Sequence, residues 1–260
     1  MNTEGIAVTE TSGRATDVTT HYDKRGNRGI QSIPEFLTGP YRFYESLLIK
    51  VLAENKPSTF LDFCCGCGVH TLFAAKHGLS VTGVDLSPAS IQTSQKAVEA
   101  INLPARCQFI VGDALSALRR LGAFDVVFCS GSLYYFQLDE VLPLLKSSLK
   151  NGGNFFCVET NGSNFLMNVW RSVRQGLKSD RDERTMKALL KAQDFDRVIH
   201  SFKKGTVYYF DFLTLGGVFL KAIPAVQSLY LRFVRPIDFV LLNRFKLKVL
   251  AFKVVIHCSE

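Results

Sequence analysis

Apolar residues recur in two rhythms along this chain. Between Tyr41 and Ala53, the residues Phe43, Leu47, Leu48, Val51 and Leu52 keep the three-to-four-residue spacing of a helix with one buried face. From Ser58 the pattern becomes short, nearly continuous apolar runs separated by helical stretches. Thr59-Phe60-Leu61-Asp62-Phe63 is predicted as a first strand, followed by a glycine turn and a helix from about Val69 to His77. Ser80 to Val84 is a second strand ending at Asp85, and Ser87-Pro88 supplies an N-cap and first-turn proline for a helix reaching about Ala100. Cys107 to Val111 is a third strand, ending at Gly112-Asp113, and Phe124 to Cys129 a fourth. Gln137 to Leu149 is predicted as a helix closed by Asn151-Gly152-Gly153, with Asn154 to Glu159 as the fifth strand. Near-continuous apolar strands separated by helices of this length imply a parallel sheet covered on both faces, a doubly wound α/β domain.

Beyond Thr160 the regularity falls away. Asn164 to Gln175 and Thr185 to Ala192 read as helices flanking a charged loop, Lys178 to Arg184, and Gly205 to Phe212 reads as extended. Pro224 and Pro236 are expected to divide the next stretch into short amphipathic pieces before a strand-like run from Val249 to Cys258. The layout is therefore a flexible arm over residues 1–20, a cap and helix over 21–57, and a ligand-binding core over 58–160. A helical substrate or lid region with one strand covers 161–248, and a final strand over 249–260 returns to the sheet.

Composition narrows the class. With 47% hydrophobic and 21% charged residues in 260, the chain can bury a core, which excludes general disorder. Seven cysteines are an odd number over a long chain, and the first twenty residues are polar. A secreted disulfide scaffold is therefore disfavoured and a reducing cytoplasm is the expected compartment. The net charge of +8 is local: residues 1–196 carry 21 basic and 20 acidic side chains, residues 197–260 carry 10 and 3. In that last segment cations interleave with aromatics. This suits peripheral contact with an anionic lipid surface, and equally a core-forming segment whose Lys and Arg stems cover apolar surface. Asp211, Lys221, Arg232, Arg235, Asp238 and Arg244 interrupt its apolar runs, so a spanning helix is not expected. Its abundant aliphatics argue against a nucleic-acid partner.

Candidate chemistry gathers at the strand ends, where a doubly wound sheet binds its ligands. Asp62, Asp85 and Asp113 stand at the ends of the first three strands. The turn Cys64-Cys65-Gly66-Cys67-Gly68 offers small residues and backbone amides at a helix N-terminus. Asp85 follows Gly66 by 19 residues, about where an acid accepts hydrogen bonds from both hydroxyls of an adenosine ribose. Thr71 stands where a dinucleotide fingerprint wants a third glycine, and no lysine followed by Ser or Thr completes a phosphate loop. An adenosine ligand without phosphate fits best.

Taken together, Leu61-Asp62-Phe63-Cys64-Cys65-Gly66-Cys67-Gly68, Val81-Thr82-Gly83-Val84-Asp85-Leu86-Ser87, Gly112-Asp113-Ala114, Phe124-Asp125-Val126-Val127 and Leu149-Lys150-Asn151-Gly152-Gly153 resemble the class I S-adenosylmethionine-dependent methyltransferases. The likeness covers about residues 40–160 and points to their small-molecule branch, which includes ubiquinone-biosynthesis-like enzymes. It implies a mostly parallel seven-stranded sheet with a helical insertion near the C-terminus, and S-adenosylmethionine as cofactor with S-adenosylhomocysteine as product. It also implies that Gly66 and Gly68 pass under the methionyl part, that Asp62 lies near its ammonium group, and that Asp85 holds the ribose. Asp113 would accept from the adenine amino group beside Ala114, Leu86 would pack on the adenine face, and Ser130 and Gly131 would line the methionyl side. The family's first turn glycine is Cys64 here, so the closest backbone approach must tolerate a side chain.

Methyl transfer asks little of side chains beyond alignment, and needs a base only where the acceptor must lose a proton. Candidates are His21, Tyr22, Tyr134, Tyr135 and Glu159; His21-Tyr22-Asp23 resembles the cap that closes over the cofactor in related enzymes, which also marks Tyr22 as a binding residue. His70 and His77 read as surface or packing groups. The aliphatic and aromatic content of residues 161–248 suggests a partly apolar small-molecule acceptor: a phenolic or polyketide-like metabolite, a quinone precursor or a lipid. Two rival readings stand beside this one. A noncatalytic module could have kept the cofactor pocket, and Cys64 to Cys67 forms a Cys-x-x-Cys whose lowered thiol pKa would suit disulfide exchange. No second Cys or His pair has zinc-ligand spacing, and nothing in the pattern sets an oligomeric state.

Overall fold

The computed structural model describes residues 19–174, 188–245 and 247–260. Residues 19–26 form helix α1, followed by a 3-10 turn at Glu35–Leu37 and α2 over Gly39–Asn55. The alternating region then runs β1 Thr59–Phe63, α3 Val69–Lys76, β2 Ser80–Asp85, α4 Pro88–Ala100, β3 Cys107–Val111, α5 Ala114–Leu118, β4 Phe124–Ser130, α6 Leu138–Ser147 and β5 Leu149–Thr160. The remainder comprises α7 Phe165–Arg174, α8 Ala192–His200, β6 Lys204–Phe210, a 3-10 stretch Leu213–Leu220, α9 Pro224–Asn243 and β7 Lys253–Ser259. The seven strands hydrogen-bond in the order β3-β2-β1-β4-β5-β7-β6; β2–β3 and β4–β5 are parallel, while β7 runs antiparallel to both β5 and β6. This is the expected seven-stranded α/β sheet with one antiparallel insertion.

The chain divides into two compact units. The first comprises the N-terminal segment to Gln31 with Leu61–Arg120. Its helices α3 and α4 pack on β2, and α4 also packs on β3. Ser87 caps α4 by accepting the Ser90 amide on its hydroxyl at 3.0 Å, and Pro88 takes the first-turn position, as the sequence predicts.

The second unit comprises Ser32–Phe60 and Leu121–Glu260. Successive residues of β5 point to opposite faces. Phe156 meets Tyr44 of α2, whose ring also stacks on Phe128 at 4.2 Å, while Phe155 stacks on Phe202 just past α8. Asp125 of β4 anchors the start of β1: its Oδ2 accepts the Ser58 and Thr59 amides, both their hydroxyls and the Lys150 ammonium. Burial would raise its pKa, but these donors outweigh it and hold the carboxyl well below the usual range.

Several expectations change. Residues 19–26 are helical rather than arm and connector, because Gly26 lets α1 settle on the N-terminus of α4; a Cβ there would lie 2.5 Å from the Ser90 nitrogen. Leu149–Gly153 belong to β5 rather than to a helix end, since Phe124 pairs with Leu149. Pro236 does not divide α9, and α8 has no counterpart in the predicted pattern. Residues 1–18 of the expected arm and the predicted loop Lys178–Arg184 lie outside the described residues. The first three residues of the predicted helix Thr185–Ala192 do too, and Leu189–Lys191 are not helical.

Candidate cofactor site

In the first unit the carboxyl ends of β1, β2 and β3 are joined by backbone and carboxylate hydrogen bonds. The Cys65 amide donates to the Val84 carbonyl at 2.9 Å, and the Gly112 amide to the Asp85 carbonyl at 3.0 Å, which ties the three strand ends together. Asp85 then acts as the bracket of the turn. Its Oδ2 accepts the Gly66 amide at 2.8 Å and its Oδ1 the Ser87 amide at 2.9 Å. Each carboxylate oxygen has more than one acceptor position, so both can take a further donor. Burial raises the Asp85 pKa, and the amides of Ser87 and Gly66 work against that rise.

Asp62 is buried, and its Oδ2 accepts the Thr71 hydroxyl at 2.7 Å. Burial pushes its pKa to about 7 in spite of the Thr71 bonds, with Asp85 adding repulsion. Thr71, which in the sequence marks only the place of a missing glycine, is thus the partner that positions Asp62.

The turn between these acids needs left-handed backbone at three places: Cys64 at φ 59°, Gly66 at φ 53° and Gly68 at φ 75°. At Gly68 a Cβ would sit 2.7 Å from Ser94 Oγ, so only glycine lets the turn lie on α4. Gly66 differs: nothing lies within 4 Å of where its Cβ would be, so the backbone there faces open space. Ser94 Oγ donates to the Gly66 carbonyl at 2.9 Å and holds this open segment in place. Cys64 takes the left-handed conformation with a side chain, at a cost of roughly 1–2 kcal/mol.

Two thiols of the turn, Cys65 and Cys67, are held protonated by burial. Burial raises the pKa of Cys67 and lifts that of Cys65 well above its ordinary value. The lowered pKa on which the Cys-x-x-Cys reading depends is therefore absent at Cys67, because burial near Asp85 disfavours the thiolate.

Asp113, exposed, caps α5 by accepting the Ser116 amide at 2.7 Å, with Ala114 buried beside it and Leu86 partly buried. Tyr22 and His21 lie on α1. Ser90 Oγ contacts the Tyr22 carbonyl at 3.4 Å, the Tyr22 ring carries the Arg25 guanidinium at 5.6 Å, and His21 meets it edge-on. Asp23, which the sequence offers only as part of the cap-like His21-Tyr22-Asp23, fastens this helix: its Oδ1 accepts the Ser87 hydroxyl at 2.5 Å and the Ala89 amide at 3.3 Å. A short acid in a helix-like segment gives no signal that it caps another helix 64 residues away.

The other named residues belong to the second unit. Gly131, at φ 62°, donates its amide to the Val158 carbonyl as the chain leaves β4 after Ser130. Tyr134 and Tyr135 follow in a 3-10 turn with their hydroxyls 3.2 Å apart. Glu159 is fully buried, and its Oε1 accepts the Ser132 and Leu133 amides at 2.9 and 2.7 Å. It is a clamp on the loop after β4 rather than an accessible group at a mouth. Cys129 and Cys157, paired across β4 and β5, bring their sulfurs to 3.2 Å with Glu159 alongside. Spacing along the chain hides this triplet, the one group of metal-ligand atoms found among the described residues. Burial holds the Cys157 thiol protonated, and Glu159 Oε1 already serves two amides.

Comparison with known proteins bears on the stretch that carries this geometry. Residues 60–153 match the family model described as "Methyltransferase domain". An uncharacterized methyltransferase of Synechocystis is 32% identical over 132 residues, covering 49% of this chain and 59% of the relative. The norajmaline N-methyltransferase of Rauvolfia serpentina is 37% identical over 88 residues, 34% of this chain and 30% of that protein. The chain thus spans between about a third and six tenths of these curated relatives. The plantazolicin methyltransferase BamL, solved with a triazolic desmethylPZN analog and S-adenosylhomocysteine, shares the fold over 94% of this chain and 90% of its own, with TM-score 0.57 and 16% identity. Over residues 60–153 the chain is thus similar to a methyltransferase domain, and the acids at the strand ends and the glycine turn seated on α4 lie within that stretch.

Proposed function

We propose that the protein transfers a methyl group from S-adenosylmethionine to a small, partly apolar acceptor. The observation that carries this reading is Asp85: a carboxylate at a strand end, its two oxygens oriented by the Gly66 and Ser87 amides and each able to accept again. A vicinal diol is the ligand group that matches two adjacent acceptors, and a ribose offers one.

The remaining roles follow from the same unit. The open backbone at Gly66 admits the chain of the cofactor without steric conflict. Asp62, with one oxygen held by Thr71, is the acceptor for a ligand ammonium, and a cation there would draw its pKa back down from about 7. Asp113, Ala114 and Leu86 are assigned to the adenine, and Tyr22 to a cap over the site. When bound, the cofactor supplies an electrophilic methyl group on a sulfonium. The chain's share of the rate is alignment and exclusion of water.

The acceptor class rests on the aliphatic and aromatic content of residues 161–248 and on relatives that methylate natural products. The test is calorimetry with S-adenosylmethionine and S-adenosylhomocysteine, followed by mass spectrometry of reactions with phenolic, quinone-like and lipid acceptors. Micromolar binding, on the order of 8 kcal/mol, with a product 14 Da heavier, roughly one CH₂, is expected. Binding without any methylated product would favour the noncatalytic module, and no binding would remove the proposal.

A further inference from the structure

The longest described helix of the second unit, α9, has a buried side and an exposed apolar one. One side is packed inward through Gln227, Leu231, Asp238 and Leu242. At 100° per residue, the opposite side is Val226, Leu229, Phe233, Ile237 and Val240, at intervals of three and four, and all five are exposed; Phe233 is 64% accessible. The stripe continues through Phe219, 88% accessible, and Ile223 before the helix and through Phe245 after it. A helix face on a water-soluble surface ordinarily turns charges outward at these positions.

The charges that do surround the stripe have one sign. Between Phe212 and Phe252 the only acid is Asp238, and it is buried, its carboxylate accepting the Phe212 and Leu213 amides and the Thr214 hydroxyl. Lys221, Arg232, Arg244 and Lys248 are exposed in the same segment. No described helix is long and apolar enough to cross a membrane.

We propose that the outer face of α9 is a membrane-surface site that lies in the plane of an anionic phospholipid interface. Apolar side chains at the centre of the face enter the acyl boundary while the flanking cations meet lipid phosphates. Charge selects this occupant over a second copy of the chain. Two such faces brought together would oppose cations to cations without an exposed acid of the same segment to pair them, whereas an anionic leaflet complements all of them. The stripe from Val226 to Val240 is about 21 Å long at 1.5 Å per residue, enough for a helix lying flat.

Vesicle flotation tests the proposal. The full chain is mixed with vesicles of phosphatidylcholine alone, or with about 30% phosphatidylglycerol added, at low and high salt. The protein is expected to float with the anionic vesicles at least about tenfold better than with neutral ones, and to lose that preference in high salt. The double variant F233E/I237E should reduce flotation by roughly tenfold or more, while I49E, at an exposed apolar position on α2, should not. Both substitutions fall on exposed side chains, so unchanged melting and unchanged S-adenosylmethionine binding show that the variants are folded. Failure to float, equal flotation with neutral vesicles, or a double variant that floats like the parent overturns the proposal. So does a dimer in sedimentation velocity that F233E/I237E dissolves without vesicles, since a second copy would then be the occupant.

Discussion

Replacing Asp85 separates its structural task from the cofactor contact proposed for it. In the free protein its oxygens accept the Gly66 amide at 2.8 Å and the Ser87 amide at 2.9 Å, and the residue is only 8% accessible. Asp85→Ala leaves both amides without an acceptor. With about 1–3 kcal/mol for each buried donor left unpaired, and some recovery through water at the open Gly66 side, a stability loss of about 2–4 kcal/mol is expected. The ligand loses two charge-assisted hydrogen bonds as well, each about 1.5–3 kcal/mol, or about 3–6 kcal/mol together. A micromolar site would then weaken to about millimolar or beyond, below the reach of calorimetry. Asp85→Asn keeps one oxygen acceptor and turns an NH₂ toward one of the two amides, so it falls between, at roughly ten- to a hundredfold weaker binding. The assay is calorimetric titration with S-adenosylmethionine beside urea denaturation of the same samples. Asp125→Ala serves as the control, because it breaks the anchor on Ser58 and Thr59 and should cost stability while leaving cofactor affinity intact. A folded Asp85→Ala protein that binds with parental affinity refutes the assignment of the cofactor site.

Three further outcomes follow from single contacts. Glu159→Gln retains an oxygen for the Ser132 and Leu133 amides and should leave both stability and methyl transfer within a few-fold of the parent. Glu159→Ala orphans both amides and should cost about 2–5 kcal/mol in urea denaturation; a large loss of turnover in the Gln variant alone would instead mark Glu159 as a base. Gly26→Ala places a methyl 2.5 Å from the Ser90 nitrogen and 2.7 Å from the Ala89 carbonyl carbon, and limited proteolysis should find α1 released from α4. Asp62 and Asp211 each have a pKa raised by burial from 3.8 to about 7. Folding therefore takes up protons between these values. The stabilisation is whole below about pH 4 and is lost as pH rises through 7, with an upper bound on the order of 4 kcal/mol per acid. The melting temperature should fall from pH 5 to pH 8, and Asp211→Asn should flatten that slope. An unchanged slope in Asp211→Asn would show that this acid is not the source.

The readable parts of this chain are those in which the deciding interaction is short-range in sequence. β1 and β3 begin and end where their apolar runs do, and Ser87-Pro88 starts α4 because cap and first-turn proline act within four residues. The spacing between Gly66 and Asp85 is legible for the same reason: a strand, a turn and a helix of ordinary length separate them. The features that escape depend on partners far away. The pairing of Cys129 with Cys157, the capping of α4 by Asp23 and the clamp by Glu159 each join residues 26 or more positions apart, and none leaves a local pattern. The position of β7 between β5 and β6 is of this kind too, since alternation of apolar residues is indifferent to strand direction.

Pro236 shows how such partners overrule a correct local rule. A proline inside a helix removes one hydrogen bond and crowds the preceding turn, a cost of about 3 kcal/mol, so a break there is the reasonable expectation. The side chains on either side of it supply the compensation. Arg235 reaches the Glu35 carbonyl at 2.7 Å and Thr38 Oγ1 at 2.9 Å, while Asp238 receives the Phe212 and Leu213 amides at 3.0 and 2.9 Å. Charged hydrogen bonds of this sort contribute about 1.5–3 kcal/mol each, so two of them suffice to carry the helix through. The inward side of α9 is therefore held by polar anchors as well as by apolar packing of Leu231, Leu242 and Phe239.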